Sequence, residues 1–264
     1  MTTIEGLHNF RDTGGIALEG GGKTRSGVLF RSDALSALTP AGVEAFADTQ
    51  IGVVVDFRTP EERQLAPDRL PATRSVQLVE LPLLEGAIGR LAGDAAQRTS
   101  GDEPDPAAVV AAMNQLPTLG DLYLGMLQHG AEAFATTARL VAASTDEEPT
   151  AVLVHCTAGK DRTGVATALL LRAAGAERSA VVADYAASAA NLAGAWAEGM
   201  YAMLTQLGIP LTPALQTLVA GSPAPEIERA LDWVDAEHGD AAAYLQSGGL
   251  TGEELGALRA RLAG

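Results

Sequence analysis

The chain of 264 residues carries 33 acidic and 18 basic side chains, which gives a formal net charge of −15. A charge of this sign argues against nucleic acid as a partner. Hydrophobic residues make up 47% of the sequence and charged residues 19%. This composition is typical of a globular protein with a sizeable core, in one large domain or two small ones.

Cysteine content and hydropathy indicate where the protein works. The single cysteine excludes an intramolecular disulfide framework and fits a reducing compartment. No stretch approaches the roughly 20 apolar residues of a membrane span, and residues 1–8 lack the basic and apolar regions of a secretory leader. We therefore expect no stable membrane insertion and a cytoplasmic location, although export without a leader would leave no trace in the sequence.

The first 33 residues combine glycine-rich turns with charged residues. Gly14 and Gly15 predict one tight turn and residues 20–22 a second. Arg11 and Asp12 precede the first turn. We expect both residues mainly to form structural ion pairs or turn caps. We expect the same of Arg31 and Asp33, the charged residues of the sequence RSD at 31–33. Arg11 and Asp12 are also candidates to support a functional site from behind.

A helix, a strand and a second helix are predicted next. Thr39 and Pro40 are typical of an N-cap and a first helical position, and they predict a helix that ends near Thr49. Residues 51–58 form an apolar run that ends in charged side chains, which indicates a buried strand. The sequence TPEE at residues 59–62 then predicts a capping box at the start of another helix.

Asp56 and Arg58 lie at the end of that predicted strand. Ligands of parallel α/β sheets bind beyond the carboxyl ends of the strands. Asp56 is therefore a candidate to face the same crevice as a functional loop at a neighbouring strand end. An ion pair between Asp56 and Arg58 at the strand end is an alternative of nearly equal weight.

The middle of the chain contains its least regular segment. Residues 76–83 predict a strand, after which glycine and proline divide residues 85–118 into short pieces. Such a stretch is typical either of a mobile segment that covers a site or of a partly disordered insertion. Residues 119–144 are rich in helix formers and predict a long helix with an interruption near Gly130.

The sequence HCTAGKDRTG at residues 155–164 is the most informative stretch of the chain. The apolar run 151–154 predicts a buried strand before it. Residues 165–174, rich in Ala and Leu without Pro or Gly, predict a helix after it. Backbone N–H groups in a loop that enters a helix, together with the helix dipole, form a cradle for an anion such as phosphate.

Two side chains make this predicted cradle reactive. A helix N-terminus and nearby cations favour the thiolate form of Cys156. Arg162, six residues later, offers a planar fork that grips two phosphate oxygens, and Thr163 is a candidate to donate a hydrogen bond to the thiolate. A buried structural cysteine beside a surface arginine is the alternative, and it leaves both the spacing and the strand–loop–helix context unexplained.

The remainder of the chain predicts helices only. They cover residues 176–190, 194–207, 212–219, 225–238 and 251–262. We expect Asp184 mainly to form a buried structural hydrogen bond, and it is also a candidate to orient groups of the loop from behind. No Cys/His/Asp cluster has the spacing of a metal site, and no glycine-rich dinucleotide motif occurs.

Residues 155–164 resemble the HC-x-x-GKDR-T-G signature of the atypical bacterial tyrosine and lipid phosphatases, a family of cysteine-dependent phosphatases. Segments 9–15 and 28–33 also resemble N-terminal motifs of that family. The resemblance implies a single α/β phosphatase domain over residues 1–264, with a central, mostly parallel sheet flanked by helices and a helical lid inserted at 85–118. It implies phosphomonoester hydrolysis through a phosphocysteine, without a metal or an organic cofactor.

The resemblance also implies substrates and roles for single residues. The substrates are phosphotyrosine proteins, with phosphoserine and phosphothreonine as extensions, and phosphoinositides, which the family handles through the Lys-Asp pair of its loop. We expect Cys156 to attack phosphorus. The expected phosphate-binding residues are Thr157, Ala158, Gly159, Lys160, Asp161, Arg162 and Thr163. The expected supporting residues are His155, Arg11, Asp12, Arg58 and Asp184.

Ordinary tyrosine phosphatases often supply the general acid from a Trp-Pro-Asp sequence, which does not occur in this chain. Two other aspartates are therefore candidates for the general acid. Asp161 lies at the rim of the loop beside Arg162 and is preferred over Asp56.

Two other functional classes remain open. A sulfur transferase usually has a smaller loop and an arsenate reductase usually needs further cysteines, while a phosphate-binding module without catalysis usually lacks the cysteine or the arginine.

Overall fold

The centre of the protein is a mostly parallel β-sheet. The computed structural model describes residues 3–83, 117–147 and 149–263. Its strands are β1 (Arg11–Asp12), β2 (Leu29–Ser32), β3 (Ile51–Asp56), β4 (Gln77–Glu80) and β5 (Ala151–His155). They are arranged in the order β1-β2-β5-β3-β4, in which β1 alone is antiparallel to its neighbour. The predicted α/β class and sheet type are confirmed.

Helices make up most of the described chain outside the sheet. They are α1 (Pro40–Ala47), α2 (Pro60–Leu65), α3 (Leu119–His129), α4 (Ala131–Ala142), α5 (Asp161–Ala173), α6 (Arg178–Leu192), α7 (Ala195–Gln206), α8 (Pro213–Ala220), α9 (Ala224–His238), α10 (Ala241–Ser247) and α11 (Gly252–Ala263). Among these helices, none combines the length and the apolar character that a membrane crossing requires.

The register of the sheet places three strand ends at one edge. His155, the last residue of β5, pairs with Ser32 of β2 on one side and with Asp56 of β3 on the other. Every residue of β5 is buried, as expected for the central strand of a parallel sheet covered on both faces. The residues that follow these three strands therefore meet at the carboxyl edge of the sheet, where ligands of such sheets bind.

Local capping fixes the helices that border this edge. The Thr39 side chain accepts a hydrogen bond from the backbone N–H of Gly42 at the start of α1. At the start of α2, Thr59 and Glu62 form both halves of a capping box. Each bond satisfies a backbone group that the first helical turn leaves without a partner. Both helix starts were predicted from sequence and are confirmed.

The structure differs from the sequence predictions at several boundaries. Residues 119–144 form two helices that are separated at Gly130, as the predicted interruption indicates. Helix α5 begins at Asp161, earlier than the predicted start at residue 165, since an acidic residue in the first turn complements the helix dipole. Strands β1 and β2 and helix α10 were not predicted. The predicted lid at 85–118 lies outside the described residues except for Pro117 and Thr118.

Candidate active site

One glycine shapes the loop between β5 and α5. Gly159 has a φ of +64°, in the left-handed region that glycine adopts without steric cost. A Cβ atom at this position would lie 2.1 Å from the carbonyl oxygen of Ser32, at the end of β2. The loop therefore packs directly against the neighbouring strand end, and a side chain at residue 159 would displace its backbone.

The same loop presents a row of free backbone donors. Throughout the described ranges, no group accepts a hydrogen bond from the backbone N–H of any residue from 157 to 163. The loop carbonyls, in contrast, are occupied: Asn9 Nδ2 donates to Ala158 O at 3.0 Å and to Gly159 O at 2.9 Å. Unpaired N–H groups at the start of a helix form an anion-binding site. The predicted cradle is therefore present in the backbone.

A cavity of about 350 Å³ adjoins the loop. Cys156 and Arg162 line it, although each is almost fully buried. The walls are largely apolar and come from α3, α7 and α8. They include Leu119, Leu122, Met126, Trp196, Met200 and Val219. The cavity therefore combines a polar floor, which holds the thiol and the guanidinium, with walls that suit an apolar organic group.

Arg162 is held by a carboxylate that also caps α2. Its Nη1 and Nη2 atoms donate to the two carboxylate oxygens of Glu62 at 2.6 and 2.7 Å. The Thr157 hydroxyl donates to the same carboxylate at 2.6 Å, and so does the backbone N–H of Thr59 at 2.9 Å. The bidentate geometry fixes the plane of the guanidinium. The first turn of α2 thus positions the arginine of a loop 100 residues away in sequence.

The charges of this pair are stable at neutral pH. Burial alone would raise the pKa of Glu62, but the hydrogen bonds and the positive charge of Arg162 outweigh burial and lower that pKa to about 2. Burial likewise opposes the charged form of Arg162, and its hydrogen bonds to Glu62 outweigh burial and raise its pKa. The guanidinium is therefore charged and oriented before a substrate arrives.

Asp161, the first residue of α5, also lines the cavity. Its Oδ1 atom accepts a hydrogen bond of 2.7 Å from the hydroxyl of Tyr123 and lies 3.3 Å from Lys160 Nζ. Its Oδ2 atom has no hydrogen-bond partner among the residues that the structure describes. The side chain retains 24% exposure, so Oδ2 is the oxygen that is free to act on a ligand in the cavity.

Lys160 is placed differently from the sequence expectation. Its side chain is fully buried, and its ammonium donates to the carbonyls of Leu218 at 2.9 Å and Gly221 at 2.7 Å. These carbonyls lie at the C-terminal end of α8, where the helix dipole favours a cation. With Asp161 as a third neighbour, the three donors of the ammonium are engaged by the protein. The expected role of the Lys160 side chain in binding phosphate is therefore not supported by the geometry.

Asp56 belongs to a closed cluster of charges behind the loop. The Arg58 Nε atom donates to both carboxylate oxygens of Asp56 at 3.0 and 3.1 Å, and Arg58 Nη2 lies 2.9 Å from both Asp56 Oδ2 and Asp68 Oδ1. Asp56 is fully buried. The strand-end ion pair, which was the alternative interpretation of these residues, is the arrangement that the structure contains. The geometry does not bring Asp56 to the cavity as a proton donor.

His155 completes this cluster. Its Nε2 atom lies 3.2 Å from Asp68 Oδ2 and 3.8 Å from Asp56 Oδ1, and its Nδ1 atom lies 3.3 Å from the carbonyl oxygen of Cys156. Burial raises the pKa of Asp68, but the close approach of His155 and the positive charge of Arg58 outweigh burial and lower that pKa. The three potential metal ligands Asp56, Asp68 and His155 lie within 4.8 Å of one another, yet the Arg58 guanidinium already supplies the positive charge there.

A second charge network supports the loop from the N-terminal segment. The Asp184 carboxylate accepts from Arg11 Nε at 2.7 Å and from Arg31 Nη1 at 2.6 Å. Arg31 Nη2 in turn donates to Gly159 O at 2.9 Å. Burial raises the pKa of Asp184, and the two arginines outweigh burial and lower it. The structure therefore places Arg11 and Asp184 behind the loop, as expected of supporting residues.

The structure confirms the main expectation for Asp12, that it caps turns, and differs from the expectation for Thr163. Asp12 accepts from the backbone N–H groups of Gly14 and Gly27, each at 2.8 Å, so it caps turns and does not reach the loop. A short carboxylate next to a glycine turn is a natural acceptor for such N–H groups. The Thr163 hydroxyl is buried and has no partner in the described part of the chain, so its expected hydrogen bond to the thiolate is not formed in this structure.

Sequence reasoning missed three residues of the site. Glu62 was predicted as a capping residue only, although its carboxylate both caps α2 and pairs with Arg162. Asn9, which holds two loop carbonyls, gave no local signal beyond its place in segment 9–15. Tyr123 lies one turn into α3, and only the apposition of α3 and α5 reveals its contact with Asp161.

Comparison with known proteins gives the same assignment as the loop. A model of the tyrosine phosphatase family matches residues 2–264. A tyrosine-protein phosphatase candidate of Cupriavidus necator is 31% identical over 240 residues, which cover 91% of this chain and 81% of that protein. The triple specificity protein phosphatase PtpB of Mycobacterium tuberculosis is 29% identical over 99% of this chain and 98% of its own length.

A further relative matches a shorter part. A tyrosine-protein phosphatase of Nostoc commune is 32% identical over 167 residues, which cover 63% of this chain and 50% of that protein. The family match extends over almost the whole chain, and the fold and the loop geometry agree with it. The chain belongs to the tyrosine phosphatase family.

Proposed function

We propose that this protein hydrolyses phosphotyrosine side chains of proteins through a phosphocysteine intermediate on Cys156. The observation that carries the proposal is the cradle itself. Its backbone N–H groups from residue 157 to residue 163 have no acceptor among the described residues, and it has a cysteine at one end and a pre-oriented arginine at the other. Such donors stabilise the charge of the equatorial oxygens in phosphoryl transfer. A buried structural cysteine requires none of these features.

In the first step, the Cys156 thiolate attacks phosphorus and the bond to the leaving oxygen breaks. Asp161, protonated at Oδ2, gives its proton to that oxygen, so the alcohol leaves neutral. In the second step, the ionised Asp161 accepts a proton from water as the water oxygen bonds to phosphorus. The phosphorus–sulfur bond breaks, inorganic phosphate forms and the thiolate is restored. Arg162 and the backbone amides hold the equatorial oxygens in both steps.

The cavity walls favour an aromatic phosphate ester. An aryl ring bound to the phosphate would contact Trp196, Met200 and Leu122, and methionine sulfur interacts favourably with aromatic rings. Phosphoserine and phosphothreonine would cover less of this apolar surface. The name of the PtpB relative indicates three specificities for that protein, which makes the same substrate classes reasonable to test here.

Phosphoinositides are the second candidate substrate class. Among the described residues that line the cavity, the arginines are Arg58 and Arg162, and both are paired with carboxylates. The Lys160 ammonium is bound to backbone carbonyls. An inositol ring that carries a second phosphate would therefore find no free cation among the described residues that line the cavity. We rank phosphotyrosine above phosphoinositides for this reason.

The nucleophile also bears on the compartment. A catalytic thiol must remain reduced, and the chain has no second cysteine to form an internal disulfide. A reducing compartment such as the cytoplasm therefore suits the proposed chemistry.

Phosphate release tests the proposal. We expect release from a phosphotyrosyl peptide, slower release from a short-chain phosphoinositide bisphosphate, and a loss on the order of 10⁴-fold or more in Cys156→Ser. Tyr244→Phe, which removes a buried hydroxyl remote from the loop, serves as the matched control. Binding of phosphate without turnover would favour the phosphate-binding module, and turnover of arsenate or persulfide substrates alone would favour the other cysteine enzymes.

A further inference from the structure

Two buried tyrosines connect α3 and α6 to the carboxylate that the proposed mechanism uses as its acid. The Tyr123 hydroxyl donates to Asp161 Oδ1 at 2.7 Å, and the Tyr123 and Tyr185 hydroxyl oxygens lie 2.6 Å apart. Both side chains are fully buried. Their rings pack edge to face, with centroids 6.0 Å apart, a favourable aromatic arrangement. The contact is therefore built by packing as well as by hydrogen bonds.

The direction of donation follows from the number of protons. A phenol has one O–H donor. Because the Tyr123 O–H donates its single hydrogen bond to the Asp161 carboxylate, the Tyr185 O–H must donate to the Tyr123 oxygen. The chain of donors runs from Tyr185 through Tyr123 to Asp161, and such chains are cooperatively strengthened inside a protein.

Both phenols remain neutral donors. Burial, followed by the negative charge of Asp161, raises the pKa of Tyr123 and of Tyr185 above that of free tyrosine. Both hydroxyls are therefore un-ionised at neutral pH, and neither supplies the proton of the reaction. Their effect must act through the carboxylate.

We propose that Tyr123 is a positioning residue, with Tyr185 behind it, which fixes Asp161 so that Oδ2 faces the leaving oxygen. The inference rests on the proposed function and adds to it the groups that orient its acid. Tyr123 and Lys160 occupy Oδ1 from two sides. The acidic proton then resides on Oδ2, the carboxylate oxygen without a partner among the described residues.

The geometry predicts that Tyr123→Phe lowers the rate of the chemical step and, separately, widens the pH range in which the enzyme is active. Loss of the anchor lets the carboxyl group move, and a misplaced acid slows the chemical step with a poor leaving group by about 10- to 100-fold. A hydrogen bond to a carboxylate favours its charged form, so loss of this bond favours protonated Asp161. The basic limb of the pH–rate profile is therefore expected to move to higher pH while the maximal rate falls.

The charged groups around Asp161 do not change in this variant. They are Lys160 and Arg162 beside it in sequence, Cys156 in the loop, and Glu62 from α2, which is paired with Arg162. A displacement of the pH profile is therefore attributable to the lost hydroxyl. A merely structural role of Tyr123 would lower the fraction of folded enzyme and leave the profile in place.

The test compares kcat for an alkyl phosphate and for an activated aryl phosphate across pH. Tyr123→Phe is expected to slow the alkyl ester by about 10- to 100-fold, to affect the aryl ester little, and to move the basic limb upward. Tyr185→Phe is expected to show the same pattern to a smaller degree. In the Asp161→Asn background, Tyr123→Phe is expected to have no further effect on leaving-group dependence.

Tyr244→Phe is the control, because its buried hydroxyl donates to the Leu127 carbonyl and not to the site. Urea unfolding of each variant corrects the rates for folded enzyme, and Tyr185→Phe provides the readout if Tyr123→Phe is unstable. A contrary result would be pH–rate profiles of Tyr123→Phe and Tyr185→Phe that match that of Tyr244→Phe while Asp161→Asn keeps its leaving-group effect. That result would overturn the positioning role of the tyrosines and leave Asp161 as the acid. Absence of turnover in the wild type, or of a leaving-group effect in Asp161→Asn, would overturn the assignment of the acid itself.

Discussion

Two neighbouring strand ends of the same sheet share an apolar strand and a buried arginine, but their polar groups behave in opposite ways. Strand β3 ends at Asp56 and is followed by Arg58, while β5 ends at His155 and is followed by Cys156 and Arg162. Each end contains a buried arginine that is paired with a carboxylate, and each leads towards a helix. By composition alone, either one is a candidate site.

The two strand ends differ in whether the protein itself supplies acceptors for their hydrogen-bond donors. At the end of β3, the Arg58 donors are taken up by Asp56, Asp68 and the carbonyl of Ala66. At the end of β5, the N–H groups from residue 157 to 163 have no acceptor in the described ranges. Buried polar groups are normally satisfied within the protein. A strand end that satisfies itself is structural, and one that leaves its donors open beside a cavity is prepared for a ligand.

The two arginines give the sharpest contrast. Arg162→Lys is expected to lower kcat/KM for a phosphotyrosyl peptide by roughly 10²- to 10³-fold, because an ammonium cannot grip two equatorial oxygens as the fork does. Arg58→Lys is the matched variant, for which we expect reduced stability in place of reduced turnover. Steady-state kinetics together with urea unfolding separate the two. A larger loss of turnover in Arg58→Lys would reverse the roles of the two strand ends.

The two aspartates allow a second comparison. Asp161→Asn is expected to slow an alkyl phosphate by about 10²-fold while an activated aryl phosphate is little affected, since a good leaving group needs no proton. The basic limb of the pH–rate profile should flatten at the same time. Leaving-group series for Asp161→Asn and Asp56→Asn provide the measurement. If Asp56→Asn alone shows this pattern, Asp56 is the acid and Asp161 orients the loop.

Asp56→Asn is expected to act on stability. Asp56 and Arg58 are both buried, and removal of one partner from a buried ion pair costs about 3–5 kcal/mol. Urea unfolding should show this loss, with kcat per folded molecule close to that of the wild type. A stable Asp56→Asn protein would contradict the view that the end of β3 is a closed structural cluster.

Glu62 connects the two regions and gives the smallest expected effect. Its pKa is 4.5 in the reference state and about 2 in the fold, so its contribution is present above pH 4.5 and is lost as pH falls towards 2. This difference corresponds to at most roughly 3 kcal/mol. Glu62→Gln keeps a capping side chain but has no carboxylate to protonate. Its free energy of unfolding should therefore fall less than that of the wild type as the pH is lowered from 4.5 to about 2. Identical pH dependence of unfolding in both proteins would exclude the charged pair.

The fold was predictable because its signals are local. The N-cap at Thr39, the capping box at residues 59–62, the apolar strands and the phosphatase loop each arise within a few residues of sequence. The site was predictable only in its loop. The contact of Glu62 with Arg162 spans 100 residues and that of Tyr123 with Tyr185 spans 62. Such contacts depend on how helices pack against the sheet, which local patterns do not specify.

Lys160 shows the same limit in the opposite direction. Its place inside the loop sequence predicts a side chain that faces phosphate. The end of α8, about 60 residues further along the chain, supplies carbonyls that bind the ammonium instead. Sequence adjacency fixes the backbone position of a residue, while tertiary packing decides which partner its side chain finds.

The most direct test of the central claim is to detect the covalent intermediate. Acid quench during turnover of a phosphotyrosyl peptide, followed by proteolysis and mass spectrometry, is expected to find one phosphoryl group on the peptide that contains Cys156. The same adduct should form in Arg58→Lys and be absent in Cys156→Ser, which should also lack turnover. Phosphate release that continues in Cys156→Ser would contradict the assignment of the β5 strand end as the catalytic centre.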